Sequence, residues 1–267
     1  DPAADVKGAA CDGLACMGTT ADVPALLQLA ASTDGKDSPA LGALERIRGT
    51  EVTRAIGEAM TRAVGEGKRP FFALLTQRGD ATGAEWLLHA AADPERRVRQ
   101  DALEGLAQVG TQTDCDALMN RLGEDLGDAP ARKPFEDAIQ KLLTRYAENA
   151  HPATACIAAL QEAQPTARPS LIRILGGLAD EDSLPTLIEA TRAQDPTVRD
   201  AGIRTLAEWP RPSAFEPLLE VARLSPDLTH NVLALRGCRR LLTNMDELTP
   251  EELKPLYEKA AAVARRD

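Results

Sequence analysis

The chain has 267 residues, of which 43% are hydrophobic, 3% aromatic and 27% charged, with a formal net charge of −10 and a pI near 5.0. That balance excludes a disordered chain, which would have too little apolar surface to fold. It also excludes nucleic-acid binding by bulk electrostatics, which needs a basic surface. No apolar run approaches the roughly 18–20 residues that cross a bilayer.

Taken in order, the chain begins at Asp1-Pro2 rather than Met, the start expected of a trimmed or mature polypeptide. Residues 1–20 are read as a partial repeat or cap. Pairs of helices are then predicted near 22–31 and 37–48, 52–66 and 68–79, 81–92 and 94–110, 112–123 and 128–146, 152–162 and 165–179, 183–193 and 195–208, and 213–224 and 227–242. A last helix, about 249–265, has no partner and reads as a cap. Apolar spacing is helical throughout: Val198, Ala201, Gly202, Thr205 and Leu206 share one face, opposite Asp200, Arg204 and Glu208. Asp93-Pro94, Asp195-Pro196 and Ser225-Pro226 are start signals, and Gly49, Gly67, Gly79, Gly110 and Gly123 are read as following helix ends.

A period runs through these pairs. Val98-Arg99-Gln100-Asp101-Ala102-Leu103-Glu104-Gly105-Leu106-Ala107 aligns without a gap on Val198-Arg199-Asp200-Ala201-Gly202-Ile203-Arg204-Thr205-Leu206-Ala207, an offset of 100 or three units of roughly 33 residues. One hairpin cannot bury its own apolar face, so the units must stack, giving a single elongated domain over residues 1–267.

Three segments carry a family resemblance: Cys16-Met17-Gly18-Thr19, Ala207-Glu208-Trp209-Pro210 and His230-Asn231-Val232-Leu233-Ala234-Leu235-Arg236-Gly237. The chain resembles the HEAT-like repeats of the class first noted in phycobilisome lyases and, over roughly residues 10–265, bacterial HEAT-repeat proteins that are often exported. It departs from their pattern at Cys238, where an aromatic is commoner. The resemblance implies an all-α, right-handed α-solenoid of about seven hairpins plus the C-terminal helix. It also implies a periplasmic or secreted location, with the cytoplasm as the alternative. It says little of activity, because fold is not function.

No catalytic constellation is legible. His89, His151 and His230 lie far apart, and none is followed by Glu. The His-Glu pairs of iron-binding HEAT hydroxylases are therefore missing, as is zinc-protease spacing. Neither a phosphate loop nor a Gly-x-Ser-x-Gly elbow occurs. No metal and no cofactor is expected. Acidic groups such as Asp180-Glu181-Asp182 sit at helix starts, where their charge is locally stabilising. Cys11, Cys16, Cys115, Cys156 and Cys238 read as small hydrophobes, with a Cys115–Cys156 bridge as the alternative. Trp86 and Trp209 read as packing between repeats rather than ligand platforms, and His230 as a cap or packing residue rather than a ligand contact.

Charge is uneven. The seven second helices hold 19 Lys and Arg against 12 Asp and Glu, a net of +7 that leaves −17 on the remainder. In HEAT solenoids these helices line the concave face. Arg173, Arg204 and Arg236 fall at one repeat position, two residues before Leu175, Leu206 and Cys238. Such a row suits carboxylate or phosphate capture, although Asp200 stands four residues before Arg204 and could simply pair with it. Lys68, Arg99, Arg168 and Arg199 form a second set, read as a ladder tying the units together. The expected function is a non-catalytic scaffold for an acidic protein or peptide. The alternatives are an accessory module of an exported carbohydrate-active or redox enzyme, and a bilin-lyase-like subunit.

Overall fold

The computed structural model describes residues 2–32, 38–124, 126, 129–146 and 152–265. Among them the regular structure is helical, without a strand. Helix α1 (Pro2–Met17) lies in the stretch read as a partial repeat or cap. The pairs follow as α2 (Val23–Ser32) and α3 (Pro39–Arg46), α4 (Thr50–Arg62) and α5 (Arg69–Arg78), α6 (Ala81–Ala90) and α7 (Arg96–Val109), and α8 (Gln112–Arg121) and α9 (Ala129–Tyr146). Then come α10 (Pro152–Glu162) and α11 (Arg168–Leu178), α12 (Leu184–Ala190) and α13 (Pro196–Ala207), α14 (Phe215–Leu224) and α15 (Leu228–Thr243), and the single α16 (Pro250–Ala262). The predicted starts at 37 and 128, and His151, lie outside the described residues.

Local chemistry sets the ends. Asp80, Asp195 and Asp227 cap α6, α13 and α15, their carboxylates accepting from Gly83 N at 2.9 Å, Thr197 N at 2.8 Å and Thr229 N at 2.7 Å. Thr249 and Glu252 form a reciprocal capping box on α16. Gly79 ends α5 at φ 65°, as predicted. Gly49 does something else: at φ 116° it is the N-cap of α4, while α3 has already ended at Arg46. Gly67 lies inside a short 3-10 turn, Gly65–Lys68, because α4 stops at Arg62.

The chain divides into two compact units, residues 1–118 with 129–142 and residues 119–128 with 143–267. In the first, α1, α3, α5 and α7 lie side by side, backed by α2, α4 and α6. Leu44, Ile56, Leu75, Leu87, Val98 and Leu106 are fully buried between these layers. At roughly 25 cal/mol per Å² of apolar surface, that burial is the main force holding the stack together. Gly57 is required because Trp86 of α6 lies against it, and a Cβ there would overlap the indole. In the second unit α11, α13 and α15 lie side by side, backed by α10, α12 and α14. Gly237 of α15 sits on α13, where an added Cβ would meet the Ala207 carbonyl at 2.8 Å. These contacts make the chain an α-solenoid of helical hairpins.

Candidate functional site

The second unit places Arg173 on α11, Arg204 on α13 and Arg236 on α15, three helices packed in sequence. The slots that set their register, Leu175, Leu206 and Cys238, are all fully buried. The three side chains differ in their engagements. Arg173 is half-buried, and its Nη2 donates to Ser170 Oγ at 3.0 Å. Arg204 is exposed, with Nε donating to Asp200 Oδ2 at 2.7 Å. That is the intrahelical pairing that the four-residue spacing had offered. Arg236 is exposed and makes no hydrogen bond or ion pair with a described residue.

Asp200 also joins α13 to α15. His230 is 8% exposed, and its Nε2 stands 3.2 Å from Asp200 Oδ1 while Nδ1 stands 3.3 Å from Ser225 Oγ. A carboxylate can only accept, so Nε2 donates to Asp200, and Nδ1 stands within hydrogen-bond distance of the Ser225 hydroxyl. Burial pushes the Asp200 carboxyl up, but hydrogen bonds from Arg204 and His230 outweigh it and hold the group below the ordinary carboxylate range. Ser225, His230 and Asp200 have the connectivity of a hydrolytic triad. The hydroxyl of Ser225 also accepts from Asp227 N at 3.3 Å, and the chain of bonds acts as a strut between α13 and α15.

The arginine excess on the second helices has a second origin that the sequence did not disclose. Arg78 of α5 donates to the carbonyls of Leu44, Ile47 and Gly49 at 2.7, 2.6 and 2.8 Å, closing the end of α3. Arg240 of α15 does the same at the end of α13, reaching Ala207 O at 2.9 Å and Trp209 O at 2.6 Å. Orphan carbonyls at a helix C-terminus attract such a donor. Arg99 and Arg199, expected in a ladder between units, instead fold back on their own hairpin turns. Each Nη1 bonds the carbonyls six and five residues earlier, Asp93 and Pro94 for Arg99, and Ala193 and Gln194 for Arg199. Lys68 does tie units, through Asp93, while Arg168 Nε bonds Ala163 O at 3.2 Å. Much of the +7 partition is therefore carbonyl capping rather than a basic face.

The row does not extend into the first unit. The counterpart of Arg204 at the offset of 100 is Glu104, which is exposed and lines a cleft of about 1500 Å³ with Leu41, Arg62 and Gln77. Trp209 is wholly buried, its indole donating to Ser213 Oγ at 3.3 Å, as the packing reading expects. All five cysteines are free thiols, Cys115 and Cys156 included. Burial pushes Cys115 and Cys238 up to about 12, leaving them protonated and inert at neutral pH. Among the described residues no three His, Cys, Asp or Glu side chains gather as metal ligands, and no helix is long and apolar enough to cross a membrane.

Stacked hairpins with a layer of second helices define a helical-repeat protein. Residues 152–235 match the family model of HEAT repeats, so this part of the chain consists of HEAT-like repeats. No curated protein sequence matches it. Among solved structures it is similar to the complex of CpcE and CpcF of phycocyanin lyase from Nostoc sp. PCC7120, at 15% identity over 89% of this chain and 93% of that one, with a TM-score of 0.37. It is also similar to human deoxyhypusine hydroxylase in complex with glycerol, at 18% identity over 94% and 98% of the two chains, with a TM-score of 0.40.

Proposed function

We propose that the protein is a non-catalytic scaffold that binds an acidic protein segment along the exposed face of its second helices. The observation that supports this is the adjacency of α11, α13 and α15, which sets Arg173, Arg204 and Arg236 at one register across three packed helices. Packed helix axes lie about 8–10 Å apart, so the row spans about 20 Å. In this reading residues 1–267 form one solenoid, and the protein works in the periplasm or as a secreted protein. Arg236 is the readiest contact, and Arg204 must share its guanidinium with Asp200.

The test is affinity capture of a partner from native extract, followed by titration against wild type and the Arg173→Ala/Arg204→Ala/Arg236→Ala variant. Charge-assisted hydrogen bonds contribute about 1.5–3 kcal/mol each, so the triple variant should bind at least tenfold more weakly. Added salt should weaken binding as well. Unchanged affinity in a folded variant rejects the row. Bound tetrapyrrole absorbance would turn the reading to a bilin-lyase-like subunit, and a partner carrying a carbohydrate-active or redox catalytic domain would turn it to an accessory module.

A further inference from the structure

We infer that the outward flank of α15 receives an acidic amphipathic helix from a partner protein, seated where a next second helix would lie; this rests on the scaffold reading and names the form of its ligand. The neighbouring helix shows how such a flank is used. On α13, Asp200 accepts from His230, and the Ala207 carbonyl receives Arg240 while Gly237 packs close by. Thirty-two residues on, with Leu206 and Cys238 fixing the register, the same positions of α15 hold Val232 for Asp200, Arg236 for Arg204 and Arg239 for Ala207.

Those positions are open. Val232 is 37% exposed, and Leu228, one turn earlier, is 39% exposed. Arg236 and Arg239 are exposed, and their guanidinium groups meet no described partner. The closing helix α16 lies elsewhere on α15: Asn231 Nδ2 holds Val263 O at 3.0 Å, and Lys259 pairs with Glu216 of α14. Leu228, Val232, Arg236 and Arg239 follow one another at helical spacing along one stripe, about 16 Å long at 1.5 Å per residue.

The stripe specifies its ligand. A small residue at position 207 lets Gly237 come close, whereas Arg239 at the equivalent place holds a helix off and offers it a charge. Another repeat helix of the Gly237 kind is therefore poorly matched, and one bearing carboxylates there is well matched. The two apolar residues select Leu, Ile, Val or Met on the same face. A helix offers no backbone edge for strand addition, so side-chain ridges fitting into grooves are the available mode.

The probes are two fluorescein-labelled helical 18-residue peptides, Ala-rich, carrying a stripe of two Leu and two Glu at this spacing in either direction, with Lys replacing Glu in the control. Fluorescence anisotropy against the full chain should show one acidic peptide binding and the Lys peptide not binding. Arg236→Glu/Arg239→Glu and Val232→Glu should each weaken binding at least tenfold, while Arg54→Ala, an exposed residue of α4 in the first unit, leaves it unchanged. Val232→Ser, a milder change, should weaken it several-fold in a chain with unaltered circular dichroism. Equal binding of the Lys peptide, or no response to the α15 variants, overturns the inference. So does self-association of the chain that Val232→Glu abolishes, which would make a second copy the occupant. If the native partner depends on the arginine row but neither acidic peptide binds, the scaffold reading stands and this inference fails. If a peptide binds and no native partner responds to the row, the reverse holds.

Discussion

Arg240 Nη2 donates to the carbonyl oxygen of Ala207 at 2.9 Å, across 33 residues of sequence and from one second helix to the end of the one before it. Arg78 makes the same connection to Leu44 in the first unit, across 34 residues. In both cases a guanidinium closes the C-terminal carbonyls of the preceding repeat. Removing it leaves part-buried acceptors without a donor, a loss of about 1.5–3 kcal/mol for bonds to a charged group. Arg240→Ala should therefore lower stability to urea by about 2–4 kcal/mol, whereas Arg236→Ala, whose side chain is exposed, should change it by less than about 0.5 kcal/mol. Equal midpoints for the two variants would refute the tie.

Ala179 ends α11 at φ 51°, where Gly79, its counterpart at the offset of 100, ends α5 at φ 65°. The left-handed region costs an L-residue roughly 1 kcal/mol. Ala179→Gly should stabilise the protein by about 0.5–1 kcal/mol and Gly79→Ala destabilise it by about the same amount. Thermal melting reads both, and opposite signs would show that the cap conformations are not held.

The Asp200 carboxyl is held below its ordinary range in the fold by Arg204 and His230, against the opposing effect of burial. A depressed folded pKa contributes stability that is present above the unfolded value, near 3.9, and lost as pH falls through the folded value. Asp200→Asn should thus be less stable than wild type at pH 6 and should lose less on acidification below about pH 4. Parallel stability curves for the two proteins over that range would exclude the linkage.

Leu106 is fully buried in α7, while Leu256 of α16 is half-exposed and that helix has no buried residue. Leu106→Ala should cost about 2–5 kcal/mol and Leu256→Ala much less. Similar losses on urea titration would contradict a stack whose interior lies between repeats.

The sequence alone determined that the chain is a series of helical hairpins. Apolar residues recur at helical spacing, Asp, Pro and Gly mark the ends, and Val98–Ala107 repeats as Val198–Ala207, all of which are local signals that survive without knowledge of neighbours. It also gave the equivalence of Arg173, Arg204 and Arg236, because register within a repeat is a matter of counting. The Arg204–Asp200 pair was already offered by the four-residue spacing, but what the other arginines do was decided only by tertiary structure. Arg240 and Arg78 meet carbonyls more than thirty residues away, Arg204 meets Asp200 on its own helix, and Arg236 meets no described residue. Gly49 looked like a helix end and proved to be a helix start. His230, read as a cap or packing residue, became a strut because stacking brought Asp200 of the preceding repeat within 3.2 Å of its ring. Spacing fixes which face a residue shares, whereas a guanidinium's partner is set by orphan carbonyls and carboxylates that only the stacking of distant turns brings within reach.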